Sequence, residues 1–171
     1  MSHPTLTSPS IQDVSKLLHV PSLTTLTISS GTNPLPIFAG PLPHLRELCL
    51  RSTADPDEVF SFFGMHNAVT SLHIRTVEVL RVVVDSPILF PNLTISSVDA
   101  DLLTRHPNSV INVLEERCRQ RGRHVAQLLE LRIWGTQKAI RAAAAVYGRR
   151  ERWHNVLKKI KVVEAKCLYC V

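Results

Sequence analysis

Leu42-Pro-His-Leu45-Arg-Glu-Leu48-Cys-Leu50 sets apolar residues at successive intervals of three, three and two. The closing interval of two is the alternation of a strand with one face buried. The same phrase stands earlier as Val20-Pro-Ser-Leu23-Thr-Thr-Leu26-Thr-Ile28 and later, degenerate at its start, as His66-Asn-Ala-Val69-Thr-Ser-Leu72-His-Ile74. After a long gap comes Val125-Ala-Gln-Leu128-Leu-Glu-Leu131-Arg-Ile133. The leucine-type position recurs at 23, 45 and 69, in steps of 22 and 24 residues. A period of this length with one short strand per unit marks a solenoid, whose units bury their apolar edges against their neighbours.

The expected architecture is therefore α/β: a short, irregular leucine-rich-repeat solenoid with parallel strands on one side and helices on the other. Regular repeats of this kind carry an asparagine nine positions into the phrase, where its amide satisfies the turning backbone. Here those positions, counted from 23, 45, 69 and 128, are Gly31, Thr53, Val77 and Thr136. The buried turns must find other partners.

At 171 residues the chain is long enough for one such domain, and 44% hydrophobic residues with 20% charged ones argue for folding rather than disorder. Residues 1–9 read as a flexible leader and 10–171 as the repeat-like domain, irregular and more helical and basic from about 109. No basic-then-apolar signal segment opens the chain, and no run reaches the ~18 apolar residues of a membrane span. Cys49, Cys118, Cys167 and Cys170 are scattered, so they read as reduced thiols of an intracellular protein, cytoplasmic or nuclear. The Asn92-Leu93-Thr94 sequon carries no meaning without secretion.

Between the phrases, Ser10 caps an expected short helix over 11–18, and residues 31–36 form a turn-rich connection. Asp55 reads as an N-cap with Pro56 at the first helical position, and Gly64 as that helix's stop. Residues 77–84, β-branched and apolar, favour a strand by propensity. The fourth unit has two registers. One puts Ser96 and Val98 at the apolar positions, with a polar intrusion. The other contracts the repeat to Phe90-x-x-Leu93-x-Ile95, and the contraction fits the apolar pattern better. Helices are expected at 99–104 and 109–122, the second turning Val110, Val113, Leu114 and Cys118 inward and Arg117, Arg119 and Arg121 outward. An Ala-rich helix over 137–147 stops at Gly148. A basic helix from about 150, with Trp153, Val156, Leu157 and Ile160 on one face, leads into a last strand through Val162 and Val163.

Side chains between the leucine positions point away from the core. The resulting outward rows are Thr25, Thr27 and Ser29; Glu47, Cys49 and Arg51; Ser71, His73 and Arg75; Glu130, Arg132 and Trp134. Arg51, His73, Arg75, Arg132 and Trp134 are the candidate partner-binding residues, since arginine and tryptophan are enriched where binding energy concentrates. The competing reading of Trp134 tucks it under the Ala-rich helix. Cys167-Leu-Tyr-Cys170 has metal spacing but no second ligand pair, and the eight histidines are dispersed, so no metal or other cofactor is expected. With no Gly-x-Ser-x-Gly, no phosphate loop and no converging carboxylate pair, an enzyme is not expected.

Charge divides unevenly: residues 1–114 hold six Lys/Arg against nine Asp/Glu, and residues 115–171 hold fourteen against five. A basic half permits binding of nucleic acid or an acidic partner through residues 117–161. With Trp134, Tyr147 and Trp153 as the only large stacking residues there, nucleic acid is the weaker expectation.

The phrases Leu42-Pro-His-Leu45-Arg-Glu-Leu48-Cys-Leu50, Phe90-Pro-Asn-Leu93 with Val98-Asp-Ala-Asp-Leu-Leu103, and Leu128-Leu-Glu-Leu131-Arg-Ile133 resemble fungal F-box/leucine-rich-repeat proteins. The C-terminal Trp153…Leu157…Val163 pattern is similar to their closing helix and strand. The resemblance implies a non-catalytic protein-interaction module, like the repeats that select substrates for ubiquitin-ligase adaptors. No segment before the first repeat reads as an F-box. A cullin-type ubiquitin ligase is therefore an expected partner only if an F-box lies upstream.

Overall fold

The computed structural model describes residues 22–30, 41–52, 55–86, 89–119, 125–149 and 151–166. Within them the chain is α/β, with six strands in one all-parallel sheet and six helices. The strands are β1 (Thr25–Ser30), β2 (Glu47–Ser52), β3 (Ser71–Ile74), β4 (Ile95–Asp99), β5 (Glu130–Gly135) and β6 (Lys161–Lys166). The helices are α1 (Pro56–Met65), α2 (Val77–Asp85), α3 (Ala100–Arg105), α4 (Pro107–Arg119), α5 (Gln137–Tyr147) and α6 (Glu151–Leu157). The strands lie in chain order, β1-β2-β3-β4-β5-β6. A doubly wound sheet reverses its order at a switch point and binds ligands there; this sheet has no reversal.

Every unit is joined to the next by the same bond. The carbonyl of Thr24 accepts from the amides of Arg46 and Glu47, that of Arg46 from Thr70 and Ser71, and that of Thr70 from Thr94 and Ile95. The Thr94 carbonyl then accepts from Leu129 and Glu130. A matching turn precedes three of the strands: Leu45 donates to Leu42, Val69 to His66 and Leu93 to Phe90. These bonds fix the register, so the apolar columns run Leu26–Leu48–Leu72 and Ile28–Leu50–Ile74 across adjacent strands. Both columns are buried.

The register of the fourth unit is the uncontracted one. Leu72 pairs with Ser96 and Ile74 with Val98, while Ile95 lies on the other face beside Ser71. The repeated backbone bond through Thr70 and the turn at Phe90–Leu93 outweigh the better apolar fit of a contracted unit. Ser96 is carried buried into the leucine column as a consequence.

Residues 77–85 form a helix rather than the expected strand. The Thr76 hydroxyl caps it by accepting from the Val79 amide, and Val79, Leu80, Val82 and Val83 are all buried. Spacings of one, three and four residues make one helical face, and burial of that face overrides the β propensity of valine. Asp55 caps α1 as expected, its carboxylate accepting from the Asp57 amide at 2.8 Å, with Pro56 at the first position. The helix runs through Gly64 to Met65, because His66 rather than the glycine closes it. Thr136 caps α5, and Gly148 ends it. A Cβ on Gly135 would stand 3.1 Å from the Ala100 side chain and 3.4 Å from that of Ala139. Glycine there lets α3 and α5 close over the end of β5.

Helices α1, α2, α4 and α6 pack in succession. Their inner faces join the strand columns in one core containing Phe63, Phe90, Leu103, Ile111 and Trp153. Arg117, expected to point outward, is buried in this core at 1% exposure. It lies three and four residues beyond Leu114 and Val113 and shares their face. Its Nη1 donates to the Phe90 carbonyl and its Nη2 to that of Leu93, each at 2.9 Å, so the fork ties α4 to the turn before β4. Arg152 joins α6 to α4 through Glu115 and Asn112. The expected leader, the helix over 11–18, the turn over 31–36 and the Cys167–Cys170 pair lie outside the described residues.

Candidate functional site: the open face of the sheet

With one strand face committed to the core, alternation turns the other set of side chains outward. In register they form the row Thr27–Cys49–His73–Ser97–Arg132–Val163, flanked by Thr25–Glu47–Ser71–Ile95–Glu130–Lys161. Of these, Ser97 alone is buried; the others are half-buried or exposed. The five predicted residues all belong to this side of the sheet. Arg51 is on β2, His73 on β3, Arg75 directly after it, and Arg132 and Trp134 on β5.

Asp99, at the end of β4, holds two side chains, His73 and Arg75, in a cluster. Its Oδ1 meets His73 Nε2 at 3.0 Å, and its Oδ2 accepts from Arg75 Nε at 3.1 Å. The rings of His73 and Trp134 lie 5.7 Å apart and 32° from parallel, which brings β5 into the same group. Trp134 is half-buried, with its ring against His73, at the end of the strand that leads into α5. Arg132 Nε pairs with Glu130 Oε1, whose other oxygen faces Lys161 Nζ at 3.6 Å. Arg51 is exposed and makes no contact of this kind among the described residues.

The electrostatics follow from this geometry. Burial opposes charging the His73 ring, but its hydrogen bonds to Asp99 and Cys49 and the negative charge beside it win, pushing its pKa up to about 9. Burial likewise opposes the Asp99 carboxylate, yet the His73 hydrogen bond and the Arg75 charge hold its pKa below the ordinary value. At neutral pH the centre of the face thus carries an imidazolium and a guanidinium on one carboxylate. Arg51 adds an exposed positive charge on one side, and on the other Arg132 is paired with Glu130. A depression at the starts of β1 and β2 is lined by Thr24, Thr25, Arg46 and Glu47, apart from these five residues.

Asp99 escaped the sequence reading because the contracted register turns odd-numbered residues of the fourth unit toward the core. With Thr70 and Thr94 aligned, a step of 24 residues takes Arg75 to Asp99 and the pairing becomes visible. Among the described residues of the basic stretch over 117–161, Lys138, Arg141, Arg149, Lys158 and Lys159 are exposed. Arg117 is buried, Arg119 pairs with Glu116, Arg152 with Glu115 and Lys161 with Glu130. No helix among the described residues is long and apolar enough to cross a membrane. No protein-family model, curated protein or solved structure matches the chain.

Proposed function

We propose that the chain is a non-catalytic protein-interaction module, a short and irregular leucine-rich-repeat solenoid that meets its partner on the open face of the sheet. Support for the solenoid comes from strands laid down in chain order and from one backbone bond repeated between successive units. The observation that carries the binding reading is the grouping of Arg51, His73, Arg75, Arg132 and Trp134 on the side of the sheet that the core leaves uncovered. Rigid strands hold these side chains, so little conformational entropy is lost on binding. With a protonated His73 the surface suits a protein partner that presents acidic groups. Under the resemblance to F-box/leucine-rich-repeat proteins, substrate selection for a cullin-type ubiquitin ligase is the corresponding biological role only if an F-box lies upstream.

Nucleic-acid binding through 117–161 is the weaker reading, because Trp134, Tyr147 and Trp153 are the only large stacking residues there. The test is affinity capture at low and high salt, with and without nuclease, comparing the native chain with an Arg51→Ala/Arg132→Ala variant. Protein partners that survive nuclease and depend on the two arginines are expected. Nuclease-sensitive material that salt removes equally from both forms would replace this reading with the nucleic-acid one.

A further inference from the structure

Cys49 stands in the middle row of the open face, and partner binding makes no use of its chemistry. It is the register partner of His73, stands beside that ring on the open face and is only partly buried. The ring is held on its far side by Asp99 Oδ1 at 3.0 Å, and Arg75 Nε holds the second carboxylate oxygen at 3.1 Å. A thiol beside an imidazolium that a third group orients is the arrangement of an activated nucleophile. Among the described residues no three His, Cys, Asp or Glu side chains are placed to share a metal ion. Thiol, imidazole and carboxylate instead follow one another across β2, β3 and β4. Cys118, the other described free thiol, provides the contrast: on α4, burial pushes its pKa up.

We propose that Cys49 is a thiol–disulfide exchange site that takes small disulfides carrying carboxylates, with the His73 imidazolium as the charge partner of its thiolate and Asp99 as the positioning residue. Arg51, exposed and two residues further along the same strand face, sets the preference for negative charge. In the exchange the Cys49 thiol gives its proton to water, and the thiolate Sγ, beside the His73 imidazolium, attacks one sulfur of the disulfide. A new S–S bond forms to Cys49 as the old one breaks. The leaving sulfur takes a proton from water and departs as a thiol, and His73 stays an imidazolium throughout. Cys49 is oxidised to the mixed disulfide and the departing half is reduced, so electrons and protons balance.

The test is reaction of the full chain with glutathione disulfide, each modified cysteine being located by peptide mass spectrometry. Cys49 is expected to react roughly tenfold faster than Cys118, because local activation of the thiol governs the rate. At low salt it is also expected to prefer glutathione disulfide over the cationic disulfide cystamine, with Arg51→Ala narrowing that preference. His73→Gln should lower the Cys49 rate roughly tenfold while leaving Cys118 unchanged. Asp99→Asn should move the alkaline change in the Cys49 rate, set by His73 near pH 9, to lower pH. Equal rates at the two cysteines of the native chain would overturn the proposal, as would preference for cystamine or a Cys49 rate indifferent to His73. The native comparison needs no variant and no partner, so neither misfolding of a variant nor failure of the binding reading touches it.

Discussion

His73 and His66 make the stability of this chain depend on pH in opposite senses. His73 binds its proton more tightly in the folded chain, with a pKa of about 9 against 6.5 when unfolded. Its contribution is complete below pH 6.5 and is lost as pH rises through about 9. His66 is buried beside Phe62, its Nδ1 accepting from the Leu42 amide, and burial lowers its pKa. The unfolded chain therefore takes up that proton first, and stability falls as pH drops below 6.5. Denaturant midpoints should peak near pH 6.5, and His73→Gln should flatten the alkaline side by on the order of 2 kcal/mol. An unchanged alkaline slope in that variant would show that the Asp99 contact does not hold in solution. Arg117 supports a second prediction. Burial pulls its pKa down to about 10, and its fork serves two backbone carbonyls at once. Arg117→Ala should cost about 3 kcal/mol, and Arg117→Lys about half of that, since one ammonium cannot reproduce the planar fork. Equilibrium unfolding of the two variants measures both values.

The fourth strand is where the arrangement of elements is best tested. The register places Val98 in the apolar column and Ile95 on the open face. Val98→Ala should therefore cost about 2 kcal/mol and Ile95→Ala less than about 1 kcal/mol. The reverse order, measured by the same unfolding curves, would restore the contracted repeat. Thr136→Ala should remove the α5 cap and cost about 1 kcal/mol. The elements that were legible in advance carry their own local signals: Asp55-Pro56 for α1, Gln137 to Gly148 for α5, and the leucine phrases for β1, β2, β3 and β5. Two were not. The α2 segment was hidden because valine's strand propensity is local, whereas the burial that selects a helix depends on the rest of the fold. The β4 register was hidden because apolar matching speaks for side chains only, while the choice is made by backbone bonds to the preceding unit. The misread of Arg117 had a simpler cause: a charged residue was assigned to solvent although its spacing placed it on the core face.

Across the whole molecule, sequential parallel strands divide the side chains into a buried set and a displayed set, and that division gives the chain its candidate surface. The five face residues were found from alternation alone, because alternation needs no knowledge of tertiary contacts. Asp99 was not, because its role depends on a register that tertiary bonding sets. The central claim is that the open face, not the helical side, meets the partner. It is tested most directly by comparing two double variants that each remove two positive charges. One is Arg51→Ala/Arg132→Ala on the sheet, and the other is Lys138→Ala/Arg141→Ala on the exposed side of α5. Nuclease-treated capture of protein partners, quantified against the native chain, should fall sharply for the first pair and stay unchanged for the second. Equal losses, or a loss confined to the α5 pair, would contradict the account.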